Sequence, residues 1–186
     1  VVNSEFPHRL ASFFENSRLI HVSTDCVFSG KKGNYVETDA PDPVDDYGIS
    51  KLKGEPISNA MVIRTSLIGR ELHCKKSLME WCLSKRGCRV DGYTNNIWNG
   101  LTTLEFSKSI EKIIERELYS RGIIHLFSTS VSKLEIIEAL NKKFDLRMEI
   151  QPIETASRID RTLSTEKSLN SDLEILSFRE MIDELK

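Results

Sequence analysis

The chain has 186 residues, 39% of them hydrophobic, and a formal net charge of −2. That length can bury one sizeable core with a smaller lobe beside it. Lys and Arg are scattered rather than striped, so the charge gives no electrostatic ground for a nucleic-acid partner or an anionic membrane, and no apolar run approaches the ~18 residues of a membrane span.

The opening, VVNSEFPHRL, lacks the basic, then apolar, then small-residue order of a signal peptide. It reads as the inside of a domain. Pro7 opens an amphipathic helix that runs to Asn16, with Leu10, Phe13 and Phe14 on one face. Leu19 to Ser23 is a short apolar strand without clean alternation, as in a parallel sheet covered on both faces. Gly30 to Pro43 is a surface loop. A helix follows from Tyr47 to Ile57, behind Asp45 and Asp46, which suit a helix N-terminus. Met61 to Thr65 is a second strand.

A helix around Lys76 to Lys85 ends at Gly87, and a Gly- and Asn-rich segment follows from Asp91 to Gly100. Thr102 and Glu105 form a capping-box pattern at the start of a helix, as do Ser132 with Glu135 and Ser177 with Glu180. Gly122 to Phe127 and Arg147 to Ile150 are strands, Ser132 to Phe144 is a helix, and the last helix spans Ser177 to Leu185. Alternating strands and helices predict an α/β architecture with right-handed crossovers.

The four cysteines, Cys26, Cys74, Cys82 and Cys88, match no paired CxxC spacing. They read as free thiols in a reducing cytosol, which places the protein in the cytoplasm. His73-Cys74 near Cys82 and Cys88 lacks the close ligand pairs of a structural zinc site, so no metal site is expected. His8, His21 and His125 lie in apolar surroundings and read as structural.

One stretch carries chemistry. Ser23-Thr24-Asp25 ends an apolar strand, and Tyr47 and Lys51 follow at i and i+4 on a helix. A carbonyl that accepts hydride develops negative charge on oxygen and needs a proton there. A phenol, with an ordinary pKa of ~10, delivers it reluctantly. A nearby ammonium favours the phenolate and makes the phenol a better acid. The hydroxyl of Thr24, or of Ser23 beside it, can hold the same oxygen. An open α/β sheet presents such groups outside the carboxyl ends of its strands. A YxxxK pair alone is weak evidence, since an aromatic and a solvated charge recur at that spacing by chance. The Ser-Thr-Asp at the strand end is what gives it weight.

Three segments, VSTDCVFSG, GNYVETDAPDPVDDYGISKLKGE and VIRTSLIGRE, resemble the extended short-chain dehydrogenase/reductase family. Within it they are most similar to nucleotide-sugar reductases of the dTDP-4-dehydrorhamnose reductase type. IDRTLSTEKS and FREMIDEL resemble the family's closing segments, so the likeness runs from Val2-Asn3 to the C-terminus. The resemblance implies a Rossmann-like doubly wound parallel sheet. Residues 1–90 would belong to the dinucleotide-binding domain, and 91–186 mainly to a substrate lobe with segments returning to the main sheet. It implies a Thr24, Tyr47 and Lys51 catalytic triad, with NADP or NAD held by Ser23, Tyr47, Lys51, Arg64 and Thr65. The implied activity is NAD(P)H-dependent reduction of a 4-keto nucleotide sugar for cell-surface polysaccharide, and a homodimer is compatible with it.

Asp25, Cys26 and Ser66 fall on the substrate side under the same resemblance. Arg70 and Arg161 read equally as partners of diphosphate oxygens or as surface ion pairs. Trp98 reads as a stacking platform for a base or sugar, or as packing. The family's Gly-rich dinucleotide loop lies upstream of where this chain starts, so the polypeptide as it stands is expected to bind NADPH poorly and to be inactive alone. Cys26 stands where many members have Tyr, and SLIGRE replaces a segment with an aromatic in many rhamnose-pathway members. Two other functions are compatible with the fold. One is a non-catalytic regulatory subunit like the β subunit of methionine adenosyltransferase. The other is an epimerase sharing the triad, against which the STDCVF and RTSLIGRE wording argues.

Overall fold

The computed structural model describes residues 1–73 and 75–186. Cys74, and with it the His73-Cys74 pair, lies outside the described residues. The first part of the chain forms α1 (Phe6–Phe13), β1 (Ile20–Val22), a 3-10 turn (Asp25–Val27), α2 (Asp46–Lys53), β2 (Met61–Arg64), β3 (Leu67–Ile68) and α3 (Leu78–Ser84). Next come β4 (Arg89–Tyr93), β5 (Asn96–Trp98), β6 (Leu101–Thr102), α4 (Thr103–Glu115) and β7 (Gly122–His125). The last part forms β8 (Val131–Ser132), α5 (Lys133–Lys143), β9 (Glu149–Ile153), β10 (Ile159–Asp160), α6 (Leu169–Asp172) and α7 (Phe178–Asp183).

The central sheet has the order β1-β2-β7, with both pairs parallel. Its register sets Val22 beside Ile63 and Arg64 beside His125, so the three carboxyl ends lie together. Every residue of β2 is buried, which is why that strand reads as a continuous apolar run closed by a charged residue. Around it, β4 pairs with β9 and β3 with β6, and β5 lies between β10 and β8. One core cluster joins Met61 and Ile63 to Leu101, Ile113, Leu126, Leu140 and Met181. Each such side chain contributes about 1.5–3 kcal/mol of burial. A smaller cluster of Val27, Phe28, Tyr35 and Leu163 underlies the 3-10 turn, with Phe28 and Tyr35 stacked at 4.2 Å.

The structure departs from the sequence expectations in several places, and α1 ends at Phe13 rather than Asn16. The Gly- and Asn-rich segment from Asp91 to Gly100 contributes to β4 and contains β5. In β4 the burial alternates residue by residue, a strand signal that the Gly and Asn content obscured. Helix α2 stops at Lys53 rather than Ile57, because Gly54 caps it and the Asn3 carbonyl lies 1.7 Å from where a Gly54 Cβ would be. The Thr102 box is one-sided. Thr102 accepts from the Glu105 amide at 3.1 Å, but the Glu105 carboxylate turns to the Leu176 amide. The boxes at Ser132 and Ser177 are complete. Among the described residues no helix is long and apolar enough to cross a membrane.

Candidate active site

Beyond Val22 the chain leaves β1 but keeps its place beside β2. Ser23 donates its amide to the Ile63 carbonyl at 2.7 Å, and Asp25 donates to the Thr65 carbonyl at 3.2 Å. Thr24, extended and 5% exposed, caps the 3-10 turn by accepting from the Cys26 amide at 3.2 Å. Its hydroxyl donates to Asp25 Oδ1 at 3.2 Å. Asp45 starts α2 by accepting from the Gly48 amide at 2.7 Å. Gly48 then lies so close to the 3-10 turn that a Cβ there would stand 2.2 Å from the Cys26 carbonyl oxygen. Only glycine lets the first turn of α2 close on that turn, and the closure brings Tyr47 to Thr24.

Tyr47 is half exposed, and Lys51 follows one helical turn on. Burial pushes the Tyr47 phenol up, against a contact with Thr24 that favours the phenolate. Burial pulls the Lys51 ammonium down, and the Glu55 carboxylate opposes that. The expectation that Lys51 lowers the Tyr47 pKa is therefore corrected. Lys51 Nζ donates to the Val22 carbonyl at 2.7 Å, and burial is the larger effect on the phenol.

Ser23 and Arg64 do not face the cleft expected of them. Ser23 is buried and its hydroxyl donates to Glu55 Oε1 at 2.6 Å. Arg64 is 1% exposed, holds Glu55 with Nε at 2.9 Å and Nη2 at 2.7 Å, and lies over the Phe28 ring at 5.3 Å. Removing one partner of such a buried pair costs about 3–5 kcal/mol, because the other charge is left uncompensated. Beside them, His21 Nε2 is buried without a partner, and its pKa is lowered to about 4 by burial and then by Lys51. His125 is fully buried, with Nδ1 between the carbonyls of Tyr35 and Ser164. His8 is exposed rather than set in an apolar environment, and it ties α1 to the Lys53 carbonyl.

On the other side of Thr24, Arg161 reaches the 3-10 turn. Its segment is stapled there: Asp160 donates its amide to the Gly30 carbonyl at 2.7 Å, and Tyr35 donates to the Thr162 carbonyl at 2.9 Å. Arg161 Nη1 donates to Cys26 Sγ at 3.5 Å, and its charge opposes the burial that pushes Asp25 up. The Cys26 thiol is likewise pushed up, by burial and then by Asp25. Thr65 is buried next to Asp25, and the Ser66 carbonyl accepts the Leu101 amide at 2.8 Å.

Two expected substrate residues stand elsewhere. Arg70 Nε pairs with Glu80 Oε1 at 2.7 Å on α3. Trp98 packs on the core, edge-on to Phe178 at 6.1 Å, so of its two readings packing fits the geometry. The structure thus gathers Thr24, Asp25, Cys26, Tyr47, Lys51, Thr65 and Arg161. Glu55 and Gly48, which the sequence reading passed over, pack beneath and against this cluster. The faint signal for Glu55 was its place four residues after Lys51 in KLKGE.

The parallel sheet with crossover helices is a Rossmann-like fold, which solved dehydrogenases and reductases share. A Bacillus anthracis dTDP-4-dehydrorhamnose reductase, solved in complex with NADP, superposes with a TM-score of 0.79 at 23% identity, over 98% of this chain and 70% of that one. This chain belongs to the RmlD substrate binding domain family, whose model matches residues 1–183. A β subunit of methionine adenosyltransferase 2 from Danio rerio is 30% identical over 159 residues, 74% of this chain and 46% of that protein. A dTDP-4-dehydrorhamnose reductase from Aggregatibacter actinomycetemcomitans is 32% identical over 125 residues, 62% of this chain and 42% of that protein. The chain spans about half the length of these two relatives.

Proposed function

We propose that the protein containing this chain is an NAD(P)H-dependent reductase of a 4-keto nucleotide sugar, working in the cytoplasm in polysaccharide synthesis. The observation that carries this reading is the meeting of Thr24, Tyr47 and Lys51 at the carboxyl ends of β1 and β2. The residues present fit the nicotinamide end of such a cofactor. Lys51 has three N–H donors and uses one on Val22, beside a half-exposed phenol. When bound, NADPH or NADH supplies the hydride.

The remaining chemistry belongs to this chain. Tyr47 delivers its proton to the carbonyl oxygen as that oxygen gains charge, so the ketone becomes a secondary alcohol. Its raised pKa keeps the phenol loaded at neutral pH. The Thr24 hydroxyl stabilises the phenolate left behind. Asp25, Cys26 and Arg161 line the substrate side, with Arg161 supplying positive charge. The first ninety residues then act mainly on the cofactor and the rest mainly on the substrate.

The test is oxidation of NADPH and NADH by the intact protein, with a dTDP-linked 4-keto-6-deoxy sugar first and UDP-linked 4-keto sugars second. Turnover supports the reductase. A second reading, a nucleotide-binding regulatory subunit, is favoured by the likeness to the Danio rerio protein. Retained nucleotide binding without turnover of any keto sugar would establish that reading instead.

A further inference from the structure

Glu55 lies beneath the proton-transfer groups and touches each strand that presents them. Ser23 donates to its Oε1 at 2.6 Å, and Arg64 holds both oxygens at 2.9 and 2.7 Å. Ser23 immediately precedes Thr24. Arg64 ends β2 and immediately precedes Thr65, whose carbonyl receives the Asp25 amide at 3.2 Å. Glu55 itself sits where α2 leaves for β2, its amide donating to the Leu52 carbonyl at 3.2 Å. The Val22 carbonyl that receives Lys51 belongs to the same strand end that Ser23 fixes. Around Lys51, the charged or titratable neighbours are Glu55 from its own segment and His21 from β1, with Arg64 of β2 paired to Glu55.

We propose that Glu55 is a positioning residue for the Tyr47–Lys51 pair, holding the ends of β1 and β2 together under Thr24 and setting a carboxylate four residues beyond Lys51. Its catalytic consequence rests on the reductase reading; its effect on Lys51 does not. A core ion pair with no further role would stabilise the fold and leave Lys51 alone. The local geometry argues otherwise, because the Val22 carbonyl that Lys51 holds at 2.7 Å adjoins Ser23, which donates to Glu55 at 2.6 Å. Burial lowers the Lys51 pKa, and Glu55 is the carboxylate that opposes it.

The experiment follows the side-chain 15N resonance of the Lys51 ammonium through a pH titration, assigned by its loss in Lys51→Met. Glu55→Gln removes the charge and keeps one acceptor oxygen for Ser23 and Arg64 Nε, while its amide nitrogen faces Arg64 Nη2. Lys51 is expected to lose its proton at lower pH in Glu55→Gln than in the wild type. Turnover should fall by up to about 100-fold, the scale of a displaced catalytic group. The alkaline limb of kcat should move to lower pH, and the KM for the keto sugar should stay near the wild-type value. An unmoved Lys51 titration overturns the proposal.

Ser23→Ala supplies the second arm and decides the matter should Glu55→Gln fail to fold. It keeps both charges and loses one hydrogen bond, so turnover should drop by less while the Lys51 titration stays in place. Wild-type turnover in Ser23→Ala overturns the positioning role. A wild type that reduces no keto sugar sinks the reductase reading, and the Lys51 titration, which needs no turnover, still decides the role of Glu55.

Discussion

Tyr47 faces two demands, to hold a proton at neutral pH and to release it when the carbonyl oxygen becomes basic. Burial serves the first, and contact with Thr24 serves the second. Tyr47→Phe keeps the ring and deletes the donor. Turnover of a 4-keto sugar should fall by about 10²–10⁴, while nucleotide-sugar binding by calorimetry is retained. Unchanged turnover would remove Tyr47 as the acid. His21 gives a separate test by pH. Its pKa in the folded chain is about 4 against an ordinary 6.5, so the unfolded chain binds the proton first as pH falls. The stability of keeping it neutral is present above 6.5 and is lost as pH falls toward about 4. His21→Gln should flatten the dependence of Tm on pH in that window. An identical slope in both proteins would mean that His21 is solvated.

At the scale of elements, the contact between α2 and the 3-10 turn decides the site. Helix propensity alone predicts that Gly48→Ala stabilises α2, by about 1 kcal/mol. The Cys26 carbonyl, 2.2 Å from the added methyl, reverses that sign. Gly48→Ala should lower Tm, with a cost of about 1–3 kcal/mol as the helix backs away. Turnover should fall more steeply than stability, because Tyr47 moves with the helix. A raised Tm with full activity would show that α2 does not press on the turn. The small sheets position the other wall in the same way. Strand β10 pairs with β5, and the segment after it carries Arg161 to Cys26.

The whole molecule shares one principal core. Met61 and Ile63 of the central sheet pack in the same cluster as Leu101, Ile113, Leu140 and Met181. Strand β7 returns from the second half of the chain to pair with β2. A functional division near residue 90 therefore crosses continuous packing. Thermal unfolding should be a single transition, with calorimetric and van't Hoff enthalpies equal. Two resolved transitions would show that the halves fold separately.

The α/β order, the central strands, two of the three capping boxes and the placing of Tyr47 and Lys51 one turn apart on a helix were legible in the amino-acid sequence. Each rests on local rules: apolar runs, hydroxyl caps and i, i+4 spacing. The roles of Arg64, Arg70 and Trp98 were not legible, because a guanidinium or an indole suits a ligand and a protein partner equally well. Their neighbours, Glu55, Glu80 and Phe178, are brought to them only by folding. The same holds for the direction of the Tyr47 pKa. Spacing places Lys51 on the right face of α2, but only the tertiary structure sets its ammonium on the Val22 carbonyl and buries the phenol against Thr24.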